Sequence, residues 1–524
     1  MGTERELKFR IPRGALPQLA RHPLLRLAQR LPRRSLRSWY FDTPGGELAA
    51  AGLALRLRDG EPGRVLTVKS APGDALGSQR GEWEWAALDS PACDQLGAQD
   101  LRQALSDTPL RALAFAPEQL LPILGTEFLR SRWLLDWQGT RLELAIDRGR
   151  CVAPQASGSP QAALCELEIE VLQGSFDAAW DLAWTLAQDL PLLLSPVHKA
   201  QRAAALRAGG LPEAPAEPGA PAPRSSLQQA MEQWLQTACA QLAVWAEHIA
   251  QGDDAHCVHQ FRVVLRRLRT ALRWLAQDLP PGAAPWLRGE LRWAHQLAGL
   301  VRDIDVERHW LEQVESAAAR AAAARRLQAL QRRRMQALRV LRAYLLGARF
   351  GRLLLALGRC GCCALRGDSG SDALRRLGRR ALREDTRRWK RALRDCRQLL
   401  RSDVVAEQLS AQQTAQLHAL RIASKRLRLS CERLGALAGG QRAEALPPLR
   451  RLATALQDRL GDWHDGDRML RQLRADGDAV ALRAWLGARA TGALRAAAAL
   501  LHATAGAAPP TPAPIAVAAQ AAAA

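Results

Sequence analysis

The sequence predicts two folded parts of different class: a strand-rich α+β domain over residues 1–208 and an all-α domain of two related helical bundles over residues 225–504. Three observations predict it. Short segments of the first part alternate charged and apolar residues with a period of two, as a strand with one face on a core does. From Ser225 to about Leu501 the chain is rich in Leu, Ala and Arg with helical periodicity and few strand signals. Between them lies a linker, 209–224, with five prolines in the fourteen residues 211–224. Two or three domains suit a chain of 524 residues, which is too long for one core. The Ala/Pro-rich tail, 505–524, is expected to be disordered.

The strands share one theme. In Thr3–Phe9, Glu4, Glu6 and Lys8 take one face and Leu7 and Phe9 the other. Leu53–Arg58 sets leucines against Arg56 and Arg58, and Lys69 closes Leu66–Lys69. Arg80, Glu82 and Glu84 line one face of Arg80–Trp85, and Arg130 and Arg132 one face of Phe128–Trp133. Glu143 and Asp147 oppose aliphatics in Leu142–Asp147, as do Glu166, Glu168 and Glu170 in Glu166–Val171. Acids thus cluster on the first and last strands and bases on the middle ones. An antiparallel sheet closed into a barrel brings all of them onto one interior wall, with residues 13–30 and 175–190 as amphipathic helices on the outside. Carboxylates beside many Arg and Lys suit a metal–polyphosphate site: hard oxygens for Mg²⁺ or Mn²⁺, guanidinium and ammonium groups for phosphate.

Charge is unevenly placed. Residues 1–210 hold 25 basic and 24 acidic residues, so nearly all of the net charge of +22 falls in the helical part. Such a domain expects a polyanionic partner. No apolar run approaches the roughly 20 residues that span a bilayer, and the charged N-terminus lacks a signal-peptide core. The expectation is a cytoplasmic protein without a membrane partner. The ten cysteines are scattered except for Cys360-Gly361-Cys362-Cys363, which lacks a second ligand pair at zinc spacing and reads as reduced thiols.

Glu4-x-Glu6-x-Lys8, Tyr40-Phe41-Asp42-Thr43-Pro44, the Leu-Arg-Leu-Arg strand, Lys69, Arg80-x-Glu82-x-Glu84 and the late Glu-x-Glu-x-Glu strand together resemble the CYTH superfamily, the triphosphate tunnel metalloenzymes. The resemblance covers nearly all of residues 1–205. It implies an eight-stranded antiparallel tunnel that hydrolyses or cyclises triphosphates with Mg²⁺ or Mn²⁺. Glu4, Glu6, Asp147 and two of Glu166, Glu168 and Glu170 are then metal ligands. Lys8, Arg56, Arg58, Lys69, Arg80, Arg130, Arg132 and Lys199 are phosphate contacts. Lys8, Glu82 and Glu84 form the catalytic set, the two acids orienting groups or water.

The helical part carries an internal repeat. His259, Arg262, Arg266, Arg267 and Arg269 recur at the same spacing as His418, Arg421, Lys425, Arg426 and Arg428. Spacings of 3, 7 and 10 fall on one narrow helical face, so each copy is a basic stripe. Each precedes an acidic turn, Gly299-Leu300-Val301-Arg302-Asp303-Ile304-Asp305 and Gly461-Asp462-Trp463-His464-Asp465-Gly466-Asp467. The repeat halves run from about 225 to 365 and from 366 to 504. These residues resemble the CHAD domain, which implies polyphosphate binding through His259, Arg262, Arg266, Arg269, His418, Arg421, Lys425 and Arg428, and association with polyphosphate granules. The second copy has His464 where the first has Arg302. Nucleic acid is the competing ligand, disfavoured because the helical part has few aromatics placed for base stacking.

The expectation is therefore an inorganic triphosphatase with a polyphosphate-binding domain. The alternatives are hydrolysis of thiamine or nucleoside triphosphates, cyclisation of ATP, and a non-catalytic polyphosphate scaffold.

Overall fold

A computed structural model of the chain describes residues 2–505, apart from 61–62, 71–77, 114–115, 154–160, 223, 363–364, 366–368, 401–402 and 474–479. The strands are β1 (Gly2–Arg10), β2 (Gln29–Asp42), β3 (Leu53–Asp59), β4 (Val65–Ser70), β5 (Ser78–Ala86), β6 (Leu121–Trp137), β7 (Thr140–Val152), β8 (Gln161–Gln173) and the two-residue β9 (Leu193–Leu194). They pair in the order β5-β4-β3-β2-β6-β7-β8-β1-β9. All described pairings are antiparallel, and β1 also pairs with β5, from Gly2↔Glu82 to Glu6↔Ser78. The ladder thus runs through eight strands and returns to β1, the closure that removes free edges.

Helices of this part are α1 (Leu16–Ala20), α2 (Pro23–Leu27), α3 (Glu47–Ala50), α4 (Ala98–Asp107), α5 (Phe176–Leu186) and α6 (Lys199–Arg207). The helix expected over 175–190 is α5, capped by Ser175. Residues 13–30 instead form two one-turn helices, each with a proline at its start, and then enter β2. β2 has no clean alternation: Arg30, Arg33, Arg34 and Arg37 crowd it, and its pairing with β6 is irregular around Pro32.

The outer face is apolar. Leu7 and Phe9 are fully buried, and Leu55, Leu57, Leu66 and Val68 pack with Leu101, Ala104 and Leu110 of the α4 region. The β6–β7 hairpin turns on Gln138 and Gly139, both at positive φ, as two-residue hairpins prefer. Asp42 ends β2 and caps α3, accepting from the N–H groups of Thr43, Leu48 and Ala49.

The remaining helices are α7 (Leu227–Gln251), α8 (Ala255–Leu275), α9 (Ala283–Leu311), α10 (Ala317–Leu345), α11 (Ala348–Cys362), α12 (Ser371–Cys396), α13 (Ala411–Leu434), α14 (Gly440–Leu473) and α15 (Val480–Ala505). The Pro-rich segment is irregular but tethered: His248 and Gln241 of α7 hydrogen-bond the carbonyls of Pro212 and Pro215, and Arg267 pairs with Glu217.

By packing, one compact unit comprises Met1–Gly219, Arg224–Asp303 and Arg333–Ala373, so the sheet shares a unit with α7, α8 and α11. The other holds Ile304–Arg332 and the helices from Leu374 onward. Among the described residues, no helix is long and apolar enough to cross a membrane.

Candidate active site in the tunnel

Strand alternation buries Leu7 and Phe9 outward and sends Glu6 and Lys8 inward, where both line a cavity of about 550 Å³. Register brings the other charges to the same wall. Glu6 stands opposite Glu170, and Lys8 opposite Glu168, across β1 and β8. Glu170 stands opposite Glu143, and Glu166 opposite Asp147, across β8 and β7. Arg130 faces Asp147 across β6 and β7, and Lys69 faces Glu82 across β4 and β5. Ala145 takes the inward position between Glu143 and Asp147 and leaves room for longer neighbours.

Two groups of charges form. At the buried end, the Arg130 guanidinium donates to both oxygens of Asp147 at 2.7 Å and to Glu168 at 2.5 Å. The Lys199 ammonium donates to Asp147 at 2.6 Å and to Glu168 at 2.8 Å, and lies 3.6 Å from Glu166. Lys8 stands 3.4 Å from Glu6 and 3.3 Å from Glu168. Burial alone would depress both lysines. The carboxylates outweigh it, raising Lys8 through Glu6 and Glu168 and Lys199 through Asp147 and Glu168. Burial would raise the Glu168 carboxyl, but Lys199, Arg130 and Lys8 hold it well below the usual range. These groups stay charged around neutral pH.

The second group is more open. Arg58 pairs with Glu84 at 3.0 Å, Arg56 bonds Thr67 at 3.1 Å, and Lys69 pairs with Glu82 at 2.8 Å. Arg56 and then burial pull the Arg58 guanidinium down to about 10. The Nε atoms of Arg56 and Arg58 are buried without a hydrogen-bond acceptor. Two crowded guanidiniums with unused donors in a cavity wall are what an anion relieves.

The structure therefore gathers Glu6, Lys8, Arg56, Arg58, Lys69, Glu82, Glu84, Arg130, Arg132, Glu168, Glu170 and Lys199 around one cavity. Asp147 and Glu166 stand behind its wall, fully buried. The backbone of Glu4 pairs with Arg80 across β1 and β5; the side chains of both lie outside the described residues. Sequence reasoning left several lining residues out of the site, Arg34, Tyr40 and Glu143 among them. Arg34 and Tyr40 sit on the unrecognised β2, and Glu143 holds Arg132 in a bidentate pair at 2.7 and 2.6 Å. The signal for Glu143 was present, because it shares a strand face with Asp147.

Among the described residues, no group of three or more His, Cys, Asp or Glu is placed to hold a metal ion. The cross-strand pair Glu6 and Glu170 fits Mg²⁺ or Mn²⁺ with two carboxylates, since Mg²⁺ takes one or two and completes its shell with water and phosphate oxygens; Glu168 is engaged by Arg130, Lys199 and Lys8.

The helical stripes are built differently. In one unit, Arg262 of α8 lies 3.8 Å from Asp303 of α9. A Cβ on Gly299 would come within 2.8 Å of the Arg262 guanidinium, so the glycine makes room for it. Burial, then Arg302 and Arg266, push the His259 imidazole down to about 4. In the other unit, the rings of His418 and His464 lie 4.8 Å apart, and burial, then Arg421 and His418, push His464 down to about 4. Arg428 pairs with Glu432 at 3.6 Å, and the Nε atoms of Arg421 and Arg428 are buried without an acceptor.

Comparison with known proteins finds that residues 2–204 match the CYTH domain and 233–474 the CHAD domain. An inorganic triphosphatase from Haemophilus influenzae is 28% identical over 167 residues, which is 31% of this chain and 43% of that protein. The CHAD domain of Ricinus communis is similar in structure with a TM-score of 0.41 and 24% identity, over 56% of this chain and 96% of that one. A putative adenylyl cyclase from Hippeastrum, described as having a dominant triphosphatase activity, gives a TM-score of 0.28 and 21% identity over 40% of this chain and 97% of that one.

Proposed function

Because this chain carries a CYTH domain followed by a CHAD domain, we propose that its tunnel hydrolyses inorganic triphosphate to diphosphate and phosphate and that its basic helices bind polyphosphate. The observation that carries the first part is the ring of cations around the cavity, with buried Nε donors of Arg56 and Arg58 lacking acceptors.

Phosphoryl transfer asks a protein mainly for positioning and charge neutralisation. Arg56, Arg58, Lys69, Arg130, Arg132, Lys8 and Lys199 grip the phosphate oxygens. Arg58 and Lys69 are each held by an acid, Glu84 and Glu82, and in this reading the two acids also orient the attacking water. That water attacks a terminal phosphorus and loses its proton to solvent, the bridging P–O bond breaks, and diphosphate leaves with the charge that Lys8 and the arginines offset. Glu6 and Glu170 would hold Mg²⁺ or Mn²⁺, which would supply further charge neutralisation and lower the pKa of a bound water.

The cavity also has an apolar stretch with Leu36, Tyr40, Leu53 and Ile123. It favours a second reading, in which an organic triphosphate such as that of thiamine or a nucleoside lays its non-phosphate part there.

The deciding experiment measures phosphate release from tripolyphosphate, ATP and thiamine triphosphate, with and without Mg²⁺ or Mn²⁺, for wild type and Glu6→Ala. Metal-dependent release from tripolyphosphate, lost in Glu6→Ala, is expected. A preference for ATP or cyclic AMP as product overturns the inorganic substrate, and no turnover of any triphosphate leaves a binding scaffold. For the helical half, the full chain is expected to bind long polyphosphate with an affinity that falls steeply with salt. Equal binding of unrelated DNA removes the preference for polyphosphate.

A further inference from the structure

The charged face of β1 does not stop at Lys8. Arg10 is the next inward position, and its partner comes from the helical half: Arg10 lies 3.0 Å from the Glu247 carboxylate of α7. The other oxygen of Glu247 accepts from Arg202 of α6 at 2.5 Å and from Gln251 at 3.0 Å. Glu247 is 4% exposed and Arg202 is 7% exposed. One carboxylate thus ties β1 to α6.

Those two elements supply Lys8 and Lys199, the two lysines that converge on Glu168 in the cavity. Lys199 and Arg202 lie three residues apart on α6, on one helical face. Between them sits Glu166, buried and without a hydrogen bond to either oxygen, 3.6 Å from Lys199 and 3.8 Å from Arg202. Lys199 and Arg202 thus share one buried carboxylate, and Arg202 is in turn held by Glu247.

We propose that Glu247, in the helical half, is a positioning residue for the tunnel: by clamping Arg10 and Arg202 together it fixes the spacing of Lys8 and Lys199 around the substrate phosphates. The proposal rests on the triphosphatase reading above. Glu247 touches no substrate and acts through the two lysines. The helical half is therefore part of the working tunnel as well as a polyanion-binding surface.

The test is a double-mutant cycle in the full chain, with Glu247→Gln and Lys199→Ala singly and together, read as kcat/KM for tripolyphosphate and as tripolyphosphate affinity by calorimetry. The expected result is a loss of about tenfold or more from Glu247→Gln in wild type and of less than about twofold in the Lys199→Ala background, because residues acting through one another are not additive. The control is Asp181→Asn, which removes a different ion pair between sheet domain and helices, Asp181 with Arg359; it is expected to change kcat/KM by less than about twofold. Where Lys199→Ala abolishes turnover, affinity completes the cycle. Where Glu247→Gln fails to fold, Glu247→Asp, which keeps the charge but shortens the reach, enters the same cycle with a smaller expected loss. An equal fold-loss in both backgrounds, no loss in wild type, or an equal loss from Asp181→Asn overturns the proposal while the triphosphatase reading stands. A wild type that turns over no triphosphate overturns both.

Discussion

The tunnel and the helical stripes offer cations to phosphate in opposite ways. In the tunnel the cations of β6 and α6 each have a carboxylate partner, Arg130 with Asp147, Arg132 with Glu143 and Lys199 with Glu168, while Arg56 and Arg58 of β3 share Glu84. Alternation and register impose that order, and the side chains are held before substrate arrives. In the stripes cations line one helical face, and the imidazoles among them show it: burial first, then the neighbouring arginines, push His259 and His464 down to about 4. A compensated, fixed array suits chemistry, which depends on position. A stripe of cations along one helical face suits binding, which depends on summed charge.

The difference breaks most readily in the tunnel. Arg58→Ala is expected to lower kcat/KM for tripolyphosphate by about 10²–10³-fold, the range for losing one preorganised donor to developing charge. Arg421→Ala is expected to leave that value within about twofold. Equal losses would erase the distinction. Stability follows the same line. Arg130→Met removes one of the two cations that Asp147 and Glu168 share, leaving only Lys199 between them, and is expected to cost about 3–5 kcal/mol in urea unfolding. Arg428→Met, in a crowded stripe, is expected to stay within about 0.5 kcal/mol of wild type. The stripes show themselves in salt instead. Arg421→Ala is expected to weaken polyphosphate binding and to reduce the slope of log affinity against log salt by about 1. An unchanged slope would remove Arg421 from the contact.

Much of this contrast was legible in sequence because it is written in short periods. Alternation gave the inward faces of β1, β3, β4, β5, β6, β7 and β8, and helical spacing gave both stripes. What stayed hidden depends on partners far apart in the chain. β2 hid because four arginines and Pro32 break its pattern, and Arg34 and Tyr40 went with it. Asp147 and Glu166 read like Glu168 in one dimension; only the fold sets them behind the wall, Asp147 spent on Arg130 and Lys199. The Asp of Tyr40-Phe41-Asp42-Thr43-Pro44 is consumed in capping α3. Glu247, 81 residues beyond Glu166 on a helix with no charge pattern, gave no local sign of its link to β1.

The smallest expected effect is one of pH. An imidazole whose folded pKa lies below its unfolded value of 6.5 favours the folded state only while neutral. Its contribution is fully present above 6.5 and is lost as pH falls from 6.5 towards 4, because the unfolded chain takes up the proton first. Wild type should lose stability between pH 7.5 and 5 by urea midpoint, and His464→Gln should lose less. Bound polyphosphate reverses the sign. Its negative charge offsets Arg421 and Arg468, whose fields help depress His464, so the imidazole protonates more readily in the complex than in the free protein. Binding should then take up protons at pH 5 and tighten relative to pH 7.5. A tunnel variant such as Arg58→Ala should leave that linkage intact, whereas His464→Gln should reduce it. Proton uptake unchanged in His464→Gln would place the titrating group elsewhere.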